Sequence, residues 1–159
     1  MNTTDIQLYE TGSGGDFAIV NNDLLMGESL YQQIMLALFG GNIQASTKQF
    51  YLETEERFDY WGNSLIWKDA KTKQFNSETE RTIRTIALNS SGRLALIQAV
   101  EQDLNYLKSV ADITIEVEII GSSQTRIIVT FSEKTNQQDK LLQLVYDNAK
   151  GEVIIEKII

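Results

Sequence analysis

From residue 113 the sequence reads ITIEVEI, and from residue 125 it reads TRIIVTF. In the first run Ile113, Ile115, Val117 and Ile119 alternate with Thr114, Glu116 and Glu118. A strict period of two belongs to a strand with one face buried and the other in water. In the second run Ile127, Val129 and Phe131 take the inward positions. Gly121-Ser122-Ser123 between them is a short connection, so the two runs predict an antiparallel hairpin. A sheet that is apolar on one face must be covered, and the rest of the chain has to supply the cover.

The cover is legible as helices. Leu30, Ile34 and Leu38 recur at four-residue spacing, with Leu24, Met35 and Ala37 near the same side. They predict a helix from about Leu24 to Phe39, capped by Asn22 or Asp23 and stopped by Gly40-Gly41. Ser77-Glu78-Thr79-Glu80 reads as a capping box that opens a second helix with Ile83, Ile86 and Ala87 as its apolar stripe. After NSSG (89–92) a third helix is expected from about Arg93 to Val110, on Leu94, Ile97, Leu104 and Leu107. The fold class that follows is α+β, with two or three helices packed on a mainly antiparallel sheet. Residues 16–159 are expected to form one domain. Residues 1–15 are read as a flexible arm, because TGSGGD (11–16) separates two short extended runs, IQLYE and FAIV.

The C-terminus adds a second hairpin over about 140–159, KLLQLVYD and EVIIEKII around Asn148-Ala-Lys-Gly151. By simple alternation Val153, Ile155 and Ile159 fall on one face of EVIIEKII, and Ile154 and Ile158 on the other. A strand apolar on both faces is either central in a sheet or covered by another chain, since a bare edge of that kind invites aggregation. Val153, Ile154, Ile155 and Ile158 are therefore interface candidates, with self-association through this strand as one outcome.

Composition narrows the chemistry. The 159 residues include no histidine and no cysteine, which removes Ser-His and Cys-His nucleophilic sites and argues against structural zinc. Net charge is −8, of which residues 1–63 carry −7 and residues 64–159 only −1. Such a chain repels phosphate backbones, so no nucleic-acid partner is expected. No apolar run approaches the roughly 18 residues of a membrane span, and MNTTDIQLYE lacks the basic and apolar regions of a signal peptide. No membrane partner, no cofactor and no metal are expected, and a cytoplasmic origin is the default. TEERFD lacks the alternating oxygen ligands of a calcium loop, and GSGGD lacks the lysine and hydroxyl of a phosphate loop.

One catalytic set remains to be weighed: Glu53, Glu55, Glu56 and Asp59 beside Trp61. Two carboxylates roughly 5–10 Å apart, one held protonated, hydrolyse glycosidic bonds. A solvated acidic loop is the plainer reading of the same residues. The adjoining stretch DYWGNSLIW (59–67) holds both tryptophans of the chain around a turn-forming Gly-Asn pair. Tyr60, Trp61 and Trp67 are read as anchors that fix the loop between the first and second helices, or as interface hot spots.

The order of these features resembles the baseplate wedge, or sheath-initiator, proteins of contractile phage tails. The Mu-type branch is the nearest, and it is related to the wedge proteins labelled tail lysozymes. The likeness is carried by LLMGESLYQQIMLALFGGN (24–42), by DYWGNSLIWKDAK (59–71), and by residues 78–119 with their hairpin partner TRIIVTF. The acidic-Pro-Arg triplet of the larger group is absent from this proline-free chain, and the residues after 132 have no counterpart. The resemblance implies a non-enzymatic virion structural protein of a contractile injection system. It would be assembled in the bacterial cytoplasm from a phage or prophage gene and bound to other baseplate and sheath proteins by strand addition. A lysozyme-like glycosidase acting on peptidoglycan is the alternative that the family label carries.

Overall fold

The computed structural model describes residues 4–6, 8–10, 15–17, 19–40, 63 and 65–158. Six short strands come first: β1 (Thr4–Ile6), β2 (Leu8–Glu10), β3 (Gly15–Phe17), β4 (Ile19–Val20), β5 (Asp23–Leu24) and β6 (Met26–Glu28). Helix α1 (Ser29–Phe39) follows, and then α2 (Glu78–Thr85) and α3 (Ser90–Asp103). Four long strands end the chain: β7 (Ala111–Ile120), β8 (Gln124–Glu133), β9 (Asn136–Asp147) and β10 (Glu152–Ile158). The fold is α+β.

The last four strands form one antiparallel sheet in the order β10-β9-β8-β7. Ile113, Ile115 and Val117 stand opposite Phe131, Val129 and Ile127, the pairing expected from the alternation. On the next strand Leu144 and Leu142 stand opposite Ile127 and Val129, so the same face continues across the sheet. The helices bury that face. Leu30, Ile34 and Leu38 of α1, Ile83 of α2 and Leu96 and Val100 of α3 join Ile127, Val129, Phe131, Leu142 and Leu144 in one core. Tyr31 meets Phe131 edge-on, with ring centroids 5.0 Å apart and planes at 83°. Each such side chain contributes roughly 1.5–3 kcal/mol on burial, so this layer contact holds the domain. On the opposite face the β7 positions Thr114, Glu116 and Glu118 stand in solvent as alternation predicts, whereas Ile128, Leu141 and Val145 make it partly apolar on β8 and β9.

The capping box opens α2 as expected, with the Ser77 hydroxyl accepting from the Glu80 amide at 2.9 Å. Four boundaries differ from the sequence reading. Helix α1 begins at Ser29, not Leu24. Asn21 and Asn22 both have positive φ, 53° and 63°, and so make the two-residue hairpin turn that joins β4 to β5. Helix α3 starts at Ser90 on an Asn89 cap and stops at Asp103, and the rest of the expected helix is a 3-10 turn, Asn105–Ser109. The polar stretch after β8 is no loop, because β9 already begins at Asn136.

Segment 1–15, read as an arm, contains β1, β2 and the first residue of β3. β1 pairs with β6, β2 with β3 and β4 with β5 in separate two-stranded ladders. β1 and β6 adjoin α1, which ties this region to the domain.

Candidate interaction surfaces

The loop that leads into α2 is closed by an asparagine. Asn63 is fully buried, its Oδ1 accepts from the Phe75 amide at 2.9 Å, and its Nδ2 donates to the Phe75 carbonyl at 3.1 Å. Gln74 donates its Nε2 to the carbonyls of Asn63 (2.9 Å) and Trp67 (3.0 Å). Three hydrogen bonds thus tie residue 63 to residues 74 and 75 and close the loop between them. The loop carries Leu65, 75% exposed, and Ile66, 56% exposed. Trp67 is half-buried, and the Lys73 ammonium lies 5.1 Å from its ring centroid. Asn63 is the residue that fixes the loop. Tyr60, Trp61, Glu53, Glu55, Glu56 and Asp59 lie outside the described residues.

The second surface is the edge of the sheet. β10 pairs with β9 alone among the described strands. Val153 is half-buried against the core, whereas Ile154 is 44% exposed opposite the buried Val145. The ladder shifts register between Ile155 and Lys157, so Ile155 stands opposite Leu144 and Ile158 opposite Leu142. Directly opposed residues share a face. The bulge therefore brings position 158 to the face of Val153 and Ile155, not to that of Ile154. The expected place of Ile158 beside Ile154 is corrected accordingly, because one extra residue resets the alternation. Before the bulge the strand is apolar on both faces, with Val153 towards the core and Ile154 on the outer face. Ile159 lies outside the described residues.

The third surface was not anticipated. Ile19 (69% exposed), Val20, Leu24 and Met26 (53% exposed) face solvent within eight residues of the β4–β5 hairpin region. The expected helix start at Leu24 hid them, since a helical reading places Leu24 on the buried stripe. Asn21-Asn22 was the available signal, because a pair that tolerates positive φ favours a tight hairpin. For Asn63 the signal was the Gly-Asn pair, and for its partner Gln74 there was none.

A buried polar junction joins the three helices. The Asp103 carboxylate, at the end of α3, accepts from the amides of Glu78 (3.0 Å) and Thr79 (2.7 Å) and from the Ser77 hydroxyl (3.3 Å). The single Ser77 hydroxyl proton is shared with the Leu38 carbonyl at the end of α1, which is its closer acceptor. The first three amides of α2 are thus satisfied by Asp103 and Ser77, the accounting a buried helix start requires. Burial raises the Asp103 pKa above its ordinary value, outweighing the hydrogen bonds that lower it. Nearby Tyr106, whose hydroxyl donates to the Gln33 carbonyl at 3.3 Å, is pushed up to about 12 by burial and by the charge of Asp103. At the opposite end of the sheet Asp147 holds the turn into β10. It accepts from Gln124 Nε2 (3.0 Å) and from the Ala149 and Lys150 amides (2.9 and 3.3 Å). The Gln124 bond foremost holds its pKa below the ordinary value. Both carboxylates are committed to backbone amides, which makes them architectural.

No group of three or more acidic residues among the described ones is placed to hold a metal ion. No described helix is long and apolar enough to cross a membrane. No protein-family model matches the chain, and no curated protein or solved structure shows significant similarity to it.

Proposed function

We propose that this chain is a structural component of a contractile-tail baseplate, of the wedge or sheath-initiator kind, and acts by protein–protein assembly. The observation that carries the reading is the β10 edge. Among the described strands it pairs on one side only, with Ile154 exposed, and an edge of that kind accepts a strand from a partner. Its regular stretch before the bulge, Glu152–Ile155, is the part suited to addition, because the bulge interrupts the remainder. The partners are other baseplate and sheath proteins, and the location is the tail of the particle. The layout of helices and hairpins that resembles the wedge family supports the same reading. The carboxylates of the glycosidase alternative, Glu53, Glu55, Glu56 and Asp59, lie outside the described residues.

The test uses the tagged full chain in a cell that assembles contractile tails and encodes this protein. The chain is expected to sediment with tail particles. An Ile154→Asp variant, folded by circular dichroism, is expected to stay in the soluble fraction. Particles that form normally without the chain, and never contain it, overturn the reading. So does release of sugar from peptidoglycan by the purified chain at an enzymatic rate.

A further inference from the structure

Two of the exposed apolar patches carry opposite charge. Around β4 and β5, Ile19, Leu24 and Met26 are accompanied by exposed Asp23, and the chain has no lysine or arginine before Lys48. On the loop closed by Asn63, Leu65 and Ile66 are followed by exposed Lys68 and Lys73 against one acid, Asp69. Both patches face solvent in the same chain, so neither covers the other within it. An acidic apolar surface and a basic apolar surface fit each other in both respects, and a second copy of the chain supplies the complement of each.

We propose that the β4–β5 arm of one copy docks on the Leu65–Lys73 loop of a second copy, head to tail. The two patches lie on different elements, so the contact is heterologous, and each added copy leaves one arm and one loop open. Such a contact grows until it closes as a ring or continues as a filament. A handful of side chains a side is small against the roughly 800 Å² per partner of a standard interface. Association in solution is therefore weak and depends on concentration. Charge contributes part of it, so added salt weakens it. This inference does not rest on the tail reading or on β10.

Sedimentation velocity of the full chain at low and high salt, with two variants, tests it. The wild type is expected to form species larger than dimers at high protein concentration and low salt. Ile19→Asp damages only the arm, and Leu65→Asp only the loop. Each alone is expected to weaken association by roughly tenfold or more. Mixed one to one, the two variants retain one intact arm and one intact loop between them, and the mixture is expected to stop at a dimer. A milder pair, Asp23→Asn and Lys68→Gln, repeats the mixing should either aspartate variant lose its circular dichroism spectrum. A wild type that stays monomeric at low salt overturns the proposal. So does association that neither substitution weakens, or a mixture of folded variants that stays monomeric, since that last result belongs to a symmetric interface.

Discussion

The strands at the two ends of this chain use the same hydrogen bonds to opposite effect. At the C-terminal end β8 and β9 have neighbours on both sides, and one face packs under three helices, so Val129, Leu142 and Leu144 are almost wholly excluded from water. At the N-terminal end the ladders are two or three residues long and two strands wide, and Ile19, Val20, Leu24 and Met26 stay in solvent. A two-stranded ladder alone is marginal in water, because its bonds replace bonds to water at little net gain. What separates the two regions is burial. The sheet is therefore the part that folds, and the N-terminal strands are the part available to another molecule.

That contrast breaks most sharply with a core truncation. Phe131→Ala removes a fully buried ring and its contact with Tyr31, and should cost about 3–5 kcal/mol in urea unfolding. A loss below about 1 kcal/mol would mean that the sheet–helix contact does not hold the domain. Gly92→Ala tests the seam between α2 and α3. Alanine normally improves a helix, yet a Cβ here would lie 2.0 Å from the Ala87 carbonyl oxygen. The expected result is a loss of about 1–3 kcal/mol, and a gain would show that the seam opens readily.

Asn63→Ala should cost about 1–3 kcal/mol by leaving the Phe75 amide and carbonyl without these partners. It should also expose the 63–75 loop to protease, and unchanged cleavage there would remove Asn63 as the closure. The two architectural carboxylates oppose each other in pH. Asp103, raised, holds its proton more tightly folded than unfolded, so its contribution grows as pH falls from that raised value towards 3.8. Asp147, lowered, stabilises above 3.8, and its contribution is lost as pH falls below 3.8 through the lowered value. Paired urea titrations should show the wild type gaining on D103N through the first window and losing to D147N in the second. Parallel curves in either pair would refute that assignment. Ile19→Ser marks the small end of the scale, with a change within about 0.5 kcal/mol. A larger loss would mean that the N-terminal strands belong to the core.

Local patterns made the core legible. Alternation in 113–119 and 125–131 placed the inward residues of β7 and β8, and the Ser77–Glu80 spacing placed the start of α2. The surfaces were less legible, for a reason visible in particular residues. Met26 sits one four-residue step and Leu24 two three-residue steps before Leu30 of the true apolar stripe of α1, so periodicity alone extended the helix over them. In β10 the alternation misled beyond Ile155, since a bulge adds a residue without leaving a mark in composition. Tyr60 and Trp61 lie outside the described residues, and Trp67 is half-buried on the loop that Asn63 closes.

The sequence by itself determined the α+β class, the two C-terminal hairpins and the capped start of α2. Each rests on neighbours a few residues apart, where periodicity and turn chemistry act directly. Only the tertiary structure decided that Asp103 would cap a helix 24 residues before it, and that Asn63 would close a loop on Phe75. It alone decided which apolar residues were left for solvent. Those outcomes depend on which backbone groups the packed helices bring together, and a polar side chain does not signal in advance the distant amide it will satisfy.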